Sequence, residues 1–211
     1  MVNKSKSKGT IAENLVVGYL CENGWPHAER RALAGILDRG DVAGCPGLAI
    51  EVKWGNETLK IASWLAETGI ERLNANADHG ILVVKPFGLG MKNAGSFYAI
   101  MVSADFDRLV NQVQARPDPG VFVIHGQPYP YSARTLAQEV RAGVTNPRLA
   151  SREVFAVALK PPGTKDKPEK WYRVMTLHHM TRLLRAAGYG EPIDDRDPAA
   201  PRRDGEQTPG D

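Results

Sequence analysis

The chain has 211 residues, 42% of them apolar and 24% charged, a balance that suits one folded domain with a real core and excludes a fibrous or wholly disordered polymer. No apolar run approaches the roughly 18 residues of a membrane span, and with only Cys21 and Cys45 neither a disulfide framework nor a four-cysteine zinc site is available. The formal charge of +3 hides an asymmetry: residues 191–211 hold seven acids and three arginines, so residues 1–190 carry 24 cations against 17 acids, a net +7 that suits a polyanionic partner.

Lys4, Lys6 and Lys8 read as a basic, mobile arm over residues 1–8, without the apolar stretch of a secretory signal, so a reducing, cytoplasmic setting is expected. Thr10 then caps a helix with the apolar stripe Ile11, Leu15, Val16, Tyr19 and Leu20, and Asn23-Gly24 stops it. Residues 28–47 are crowded with Gly and Pro, which reads as turns, with Arg30, Arg31 and Arg39 among them. Leu48 to Trp54 is an apolar strand carrying Glu51 and Lys53 on one face. A helix is predicted over about 57–77, burying Leu59, Ile61, Leu65, Ile70 and Leu73, followed by strands near 81–84 and 97–102 and a helix near 104–114. Residues 9–115 thus form a mixed α/β core.

Residues 116–190 read as a C-terminal extension packed on that core, and they contain an internal echo. Val83-Val84-Lys85-Pro86 matches Ala158-Leu159-Lys160-Pro161, and Phe97-Tyr98-Ala99-Ile100-Met101 matches Trp171-Tyr172-Arg173-Val174-Met175. Arg108-Leu109 then falls on Arg182-Leu183, and a strand at 121–124 with a helix near 133–141 extends the likeness. In this register Glu51 and Lys53 fall on His125 and Gln127, so a second copy has lost those charges. A degenerate repeat and a chance likeness between two amphipathic hairpins both fit. Residues 191–211 offer almost nothing apolar to bury and read as disordered.

The chemical interest lies between Arg39 and Lys53. Residues 51 and 53 of a strand share a face, and Asp41, across a Gly/Pro turn, has enough chain to fold back beside them. Two carboxylates and an ammonium would then meet, an oxygen donor set for a hard divalent cation such as Mg²⁺, which the Val52 carbonyl could join. Lys53 could orient or deprotonate a water and stabilise charge on a phosphate. Glu13, off the apolar stripe of the first helix, could reach the same cluster. The alternative is structural: Glu51 and Lys53 as a surface pair, Asp41 as a turn residue and Glu13 as a solvated helix charge.

Gly9-Thr10-Ile11-Ala12-Glu13, Arg39-Gly40-Asp41-Val42-Ala43-Gly44, Ile50-Glu51-Val52-Lys53 and Ile81-Leu82-Val83-Val84-Lys85 together resemble the PD-(D/E)XK nuclease superfamily, in particular the Holliday junction resolvases of archaea and bacteriophages. The likeness covers roughly residues 8–102. It implies a restriction-endonuclease-like mixed sheet flanked by helices, phosphodiester hydrolysis with Mg²⁺ (Mn²⁺ substituting), and a homodimer acting on branched or double-stranded DNA, inside a bacterial host if phage-encoded. It also implies Glu13, Asp41 and Glu51 as metal ligands and Lys53 as the catalytic lysine. The apolar segments 97–101 or 171–175 would join the two chains. The cellular resolvases carry a serine in the loop after the first helix, where this chain has Leu33-Ala34-Gly35. Arg30, Arg31, Arg39 and the arm lysines are candidates for phosphate contact and Trp54 for contact with nucleic acid. His178-His179 read as structural or DNA-facing rather than metal-binding, Gly88-Leu89-Gly90 as a loop and Cys45 as a small residue in a turn. The alternatives are a restriction or repair nuclease of the same superfamily and a non-catalytic DNA-binding protein of the same fold.

Overall fold

Ala12, Val16 and Leu20 recur every fourth residue, the spacing that puts side chains on one helical face, and all three are buried. In the structure, a computed structural model that describes residues 4–31, 38–55, 60–86, 94–118, 120–126, 128–130, 140 and 153–193, they seat helix α1 (Lys4–Glu22) on strand β3 (Leu48–Trp54). Helix α1 starts at Lys4, not at Thr10, so Thr10 is no cap and Lys4 to Lys8 are its first turns rather than a separate arm. Ile11, expected on the stripe, is 39% exposed because Ala12 holds the inward position. Leu33-Ala34-Gly35, Leu59, Gly88-Leu89-Gly90, Gln127, the helix expected near 133–141 apart from Val140, and the tail from residue 194 lie outside the described residues.

Strands β1 (Glu29–Arg30) and β2 (Val42–Ala43) pair antiparallel and fold the turn-rich segment back toward β3. Helix α2 (Ile61–Asn74) follows, then β4 (His79–Lys85), β5 (Tyr98–Val102) and α3 (Ser103–Gln114). The buried face of α2 is Ile61, Leu65, Thr68 and Glu71: Ile61 and Leu65 lie inward as expected, whereas Ile70 and Leu73 are 60% and 67% exposed. Gly80 of β4 explains the rotation. A Cβ there would lie 3.2 Å from Thr68 Cγ2, so a bare backbone lets the helix settle on Thr68 and turns Ile70 outward.

The remaining elements are β6 (Phe122–His125), β7 (Tyr129–Pro130), β8 (Glu153–Lys160), β9 (Tyr172–Thr176) and α4 (Leu177–Ala187). They continue the same sheet, in the order β3-β4-β5-β9-β8-β6, with β7 also paired to β8. The outer pairs β3·β4 and β6·β8 are parallel and the inner pairs antiparallel, so the order reads alike from either edge. The fold is therefore mixed α/β. One core cluster, with Ile50, Val52, Ile81, Val83 and Met101, packs under α1, α3 and α4. The other, with Leu82, Val84, Ile100, Val157 and Val174, packs under α2 and includes Val140.

The segments expected to join two chains instead pair with each other as β5 and β9, where Phe97, Ile100, Val174 and Met175 are buried. The echo also shifts by one residue at its outer strand. Ile50 faces Ile81 as His125 faces Ala156, so Gly126, not His125, stands where Glu51 stands. Tyr129 faces Leu159 as Lys53 faces Val84, so Tyr129, not Gln127, holds the lysine's place. No helix among the described residues is long and apolar enough to cross a membrane.

Candidate active site

Strand β3 lies at the sheet edge, and its outer side is closed by the residue that precedes β2. Asp41 donates its backbone N–H to Ile50 O at 2.9 Å, and its Oδ2 accepts from the Val52 N–H at 2.8 Å. Gly40 makes this approach possible: its φ is +86°, and a Cβ would sit 2.8 Å from Ile50 O. Arg31 fixes the other side of the hairpin. Its N–H donates to Asp41 O at 2.8 Å, and its guanidinium donates to Gly40 O at 3.1 Å and Val42 O at 3.4 Å. Because the N–H and C=O of one strand residue point to the same side, the Val52 carbonyl also faces the edge that Asp41 occupies.

Ile50 and Val52 point into the core, so Glu51 and Lys53 take the opposite face, below α2. Glu51 is buried and ion-paired with Lys53, whose Nζ also lies 3.3 Å from Glu67 Oε2 on α2. One turn on, Glu71 is buried, and its Oε2 has no hydrogen-bond partner among the described residues. Burial, with repulsion from Asp41, pushes Glu51 up to about 8 despite Lys53. Burial and Asp38 push Glu71 up to about 7. Burial also raises Asp41, although the Val52 N–H opposes it. Burial pulls Lys53 down, but its hydrogen bond to Glu51 and the Glu51 and Glu67 charges outweigh that, so it is raised and stays protonated. The pocket is therefore short of positive charge: one ammonium does not hold both Asp41 and Glu51 ionised at neutral pH.

Asp41, Glu51, Lys53 and the Val52 backbone are thus brought together. Glu13 is close enough to raise Asp41 by its charge, but its carboxylate is ion-paired with Arg30. Among the described residues no three His, Cys, Asp or Glu side chains form a metal-binding group. A cation here would have two carboxylates and the Val52 carbonyl, leaving its other positions to water and phosphate. That is a donor set Mg²⁺ accepts.

The remaining candidates are dispersed. Arg30 is spent partly on Glu13 and Arg31 on the hairpin, while exposed Arg39 lines a cavity of about 250 Å³ with Arg31 and Cys45. Trp54 is half-buried with the Lys85 ammonium 4.1 Å from its ring centre. Lys8 is exposed, and the side chains of Lys4 and Lys6 lie outside the described residues. Burial pushes the Cys45 thiol up to about 12, which makes it inert. Burial lowers His179 to about 4, and exposed His178 meets Tyr19 Oη through Nδ1 at 3.0 Å.

Glu67 and Glu71 stand at the cluster although neither is among the sequence candidates. The signal for the two acids was their i, i+4 spacing on the helix after the Glu51 strand, masked by the apolar Ile70 and Leu73. Comparison with protein-family models, curated proteins and solved structures finds no match to this chain.

Proposed function

We propose that this chain is a divalent-metal-dependent DNA endonuclease of the PD-(D/E)XK superfamily, with a restriction-endonuclease-like sheet, acting on branched DNA. The observation that carries the reading is the Asp41 to Val52 hydrogen bond, which locks a carboxylate on the sheet edge beside Glu51 and Lys53. The net +7 of residues 1–190 supports a nucleic-acid partner.

Asp41, Glu51 and the Val52 carbonyl would hold Mg²⁺ or Mn²⁺, which when bound polarises the phosphate and lowers the pKa of water. The chain's own groups do the rest. Lys53, kept protonated by Glu51 and Glu67, orients the attacking water and stabilises the charge that develops on the phosphate oxygens. Water oxygen bonds to phosphorus as the bond to the 3′ oxygen breaks, and one water proton ends on that oxygen. The products are a 5′-phosphate and a 3′-hydroxyl. Glu13 would steady Arg30 at the hairpin.

The test is cleavage of labelled duplex and four-way junction DNA with Mg²⁺, with Mn²⁺ and with EDTA. Metal-dependent cutting that favours the junction is expected. Tight junction binding without cutting under any metal would replace the nuclease with a DNA-binding protein, and equal cutting of both substrates would point to a restriction or repair type.

A further inference from the structure

The two halves of the sheet pair as a two-fold axis would pair them. With residues 74 apart taken as equivalent, Tyr98 opposite Thr176 and Val102 opposite Tyr172 are the same pair exchanged, and Ile100 opposite Val174 lies on the axis. Moving outward, Leu82 faces Ile100 as Val157 faces Val174, and Ile50 faces Ile81 as His125 faces Ala156. Side-chain contacts repeat too: the Lys85 ammonium lies 5.8 Å from the Phe97 ring centre and that of Lys160 lies 4.9 Å from Trp171. Helices α3 and α4 each start directly after their strand and pack on one another. Such reciprocal pairing is the mark of an isologous interface. Here both sides of it belong to one chain.

The halves part where the chemistry lies. Gly126 stands in the place of Glu51, and a Cβ there would lie 2.9 Å from Phe155 Cζ, whereas the residue matching Phe155 in the first half is Gly80. Tyr129 stands in the place of Lys53. Residues 115–121, which join α3 to β6, are too few for a hairpin like that of residues 23–47, so among the described residues Asp41 has no counterpart. Groups suited to phosphate do survive. The β8–β9 connection carries exposed Lys165, Lys167 and Lys170 against Asp166 and Glu169.

We infer that one chain is an intrachain pseudo-dimer, in which the first half cuts and the second half only holds DNA, so that each bound protein breaks a single strand. The inference rests on the nuclease reading and deepens it: the protein nicks branched DNA instead of making paired cuts.

The experiment uses the full chain, a supercoiled plasmid carrying an extruded cruciform, and sedimentation with a synthetic four-way junction. The expected result is a free monomer, one chain per junction, and nicked circles that accumulate before any linear DNA. Two chains per junction, or linear DNA formed within the first binding event, overturns the inference. If nothing is cut with Mg²⁺ or Mn²⁺, the nuclease reading falls together with the single cut, and stoichiometry still decides the pseudo-dimer. The triple variant K165Q/K167Q/K170Q should reduce the slope of log affinity against log salt by about 2 to 3. An unchanged slope overturns the holding role of the second half.

Discussion

Asp41 Oδ2 and the backbone N–H of Val52 are 2.8 Å apart, across eleven residues of chain. The bond needs an oxygen acceptor, whereas a metal site needs a negative charge, and two substitutions separate the needs. Asp41→Asn keeps an acceptor and loses the charge, so it should melt near the parent temperature and cut at least about a hundredfold more slowly. Asp41→Ala also leaves the Val52 N–H unsatisfied, at a cost of about 1–3 kcal/mol, and should melt lower. Cleavage assays and thermal melts on both variants check this, and an Asn variant that cuts at the parental rate would remove Asp41 from the chemistry.

The metal-free protein should lose stability as pH rises. Glu51 binds its proton up to about 8 when folded but only near 4.5 in its ordinary state, and Glu71 is raised in the same direction, to about 7. Between these limits the folded state holds protons that the unfolded chain has released, so stability falls through the window and this contribution is gone above about pH 8. Melts from pH 5 to 9 should show the decline, and Glu51→Gln should flatten it while abolishing cleavage. Added Mg²⁺ should restore stability chiefly at the alkaline end, because it competes with the proton on Glu51, at about a tenfold loss of affinity per pH unit below 8. A melting temperature that rises with pH in the metal-free protein would contradict the burial of these carboxyls.

Lys53 and Glu67 should differ in rank. Lys53→Ala removes the ammonium that faces the phosphate and should slow single-turnover cleavage by about a hundredfold, with a much smaller change in DNA affinity. Glu67→Gln removes a partner that is half exposed, at 3.3 Å from Lys53 Nζ, so its effect should stay within about tenfold. Rate against affinity, measured for each variant, tests the order.

Lys4, Lys6 and Lys8 lie on the first turns of α1, where the helix dipole disfavours positive charge. Changing all three to Gln should leave the melting temperature the same or slightly higher, yet weaken binding to every DNA and reduce its salt dependence. A lower melting temperature with unchanged DNA binding would mean that these lysines serve the fold.

The site was legible where backbone geometry alone places residues. The two-residue period of β3 puts Glu51 and Lys53 on one face, and the glycines around Asp41 mark the hairpin that returns it to that face. Helix α2 was less legible, because hydropathy cannot tell Ile70 from Leu65 as the inward residue. Gly80, on a different strand, decides it. Glu71 was hidden by the same rotation, since a carboxylate counts as surface until the pocket beneath it is known. The echo between β5 and β9 could be read because both strands and both aromatic–lysine contacts persist. Its outer register could not, since the residue gained between His125 and Tyr129 leaves no mark in composition.

The place of β9 at the centre of the sheet has a consequence for synthesis on the ribosome. Strand β5 is complete at Val102, but its partner begins only at Tyr172. At 5–20 residues per second, the apolar Tyr98-Ala99-Ile100-Met101-Val102 edge stands open for roughly 4–14 s. An open apolar edge is a template for pairing with other chains. Until β9 is made, that edge can pair with a neighbouring chain on the same message.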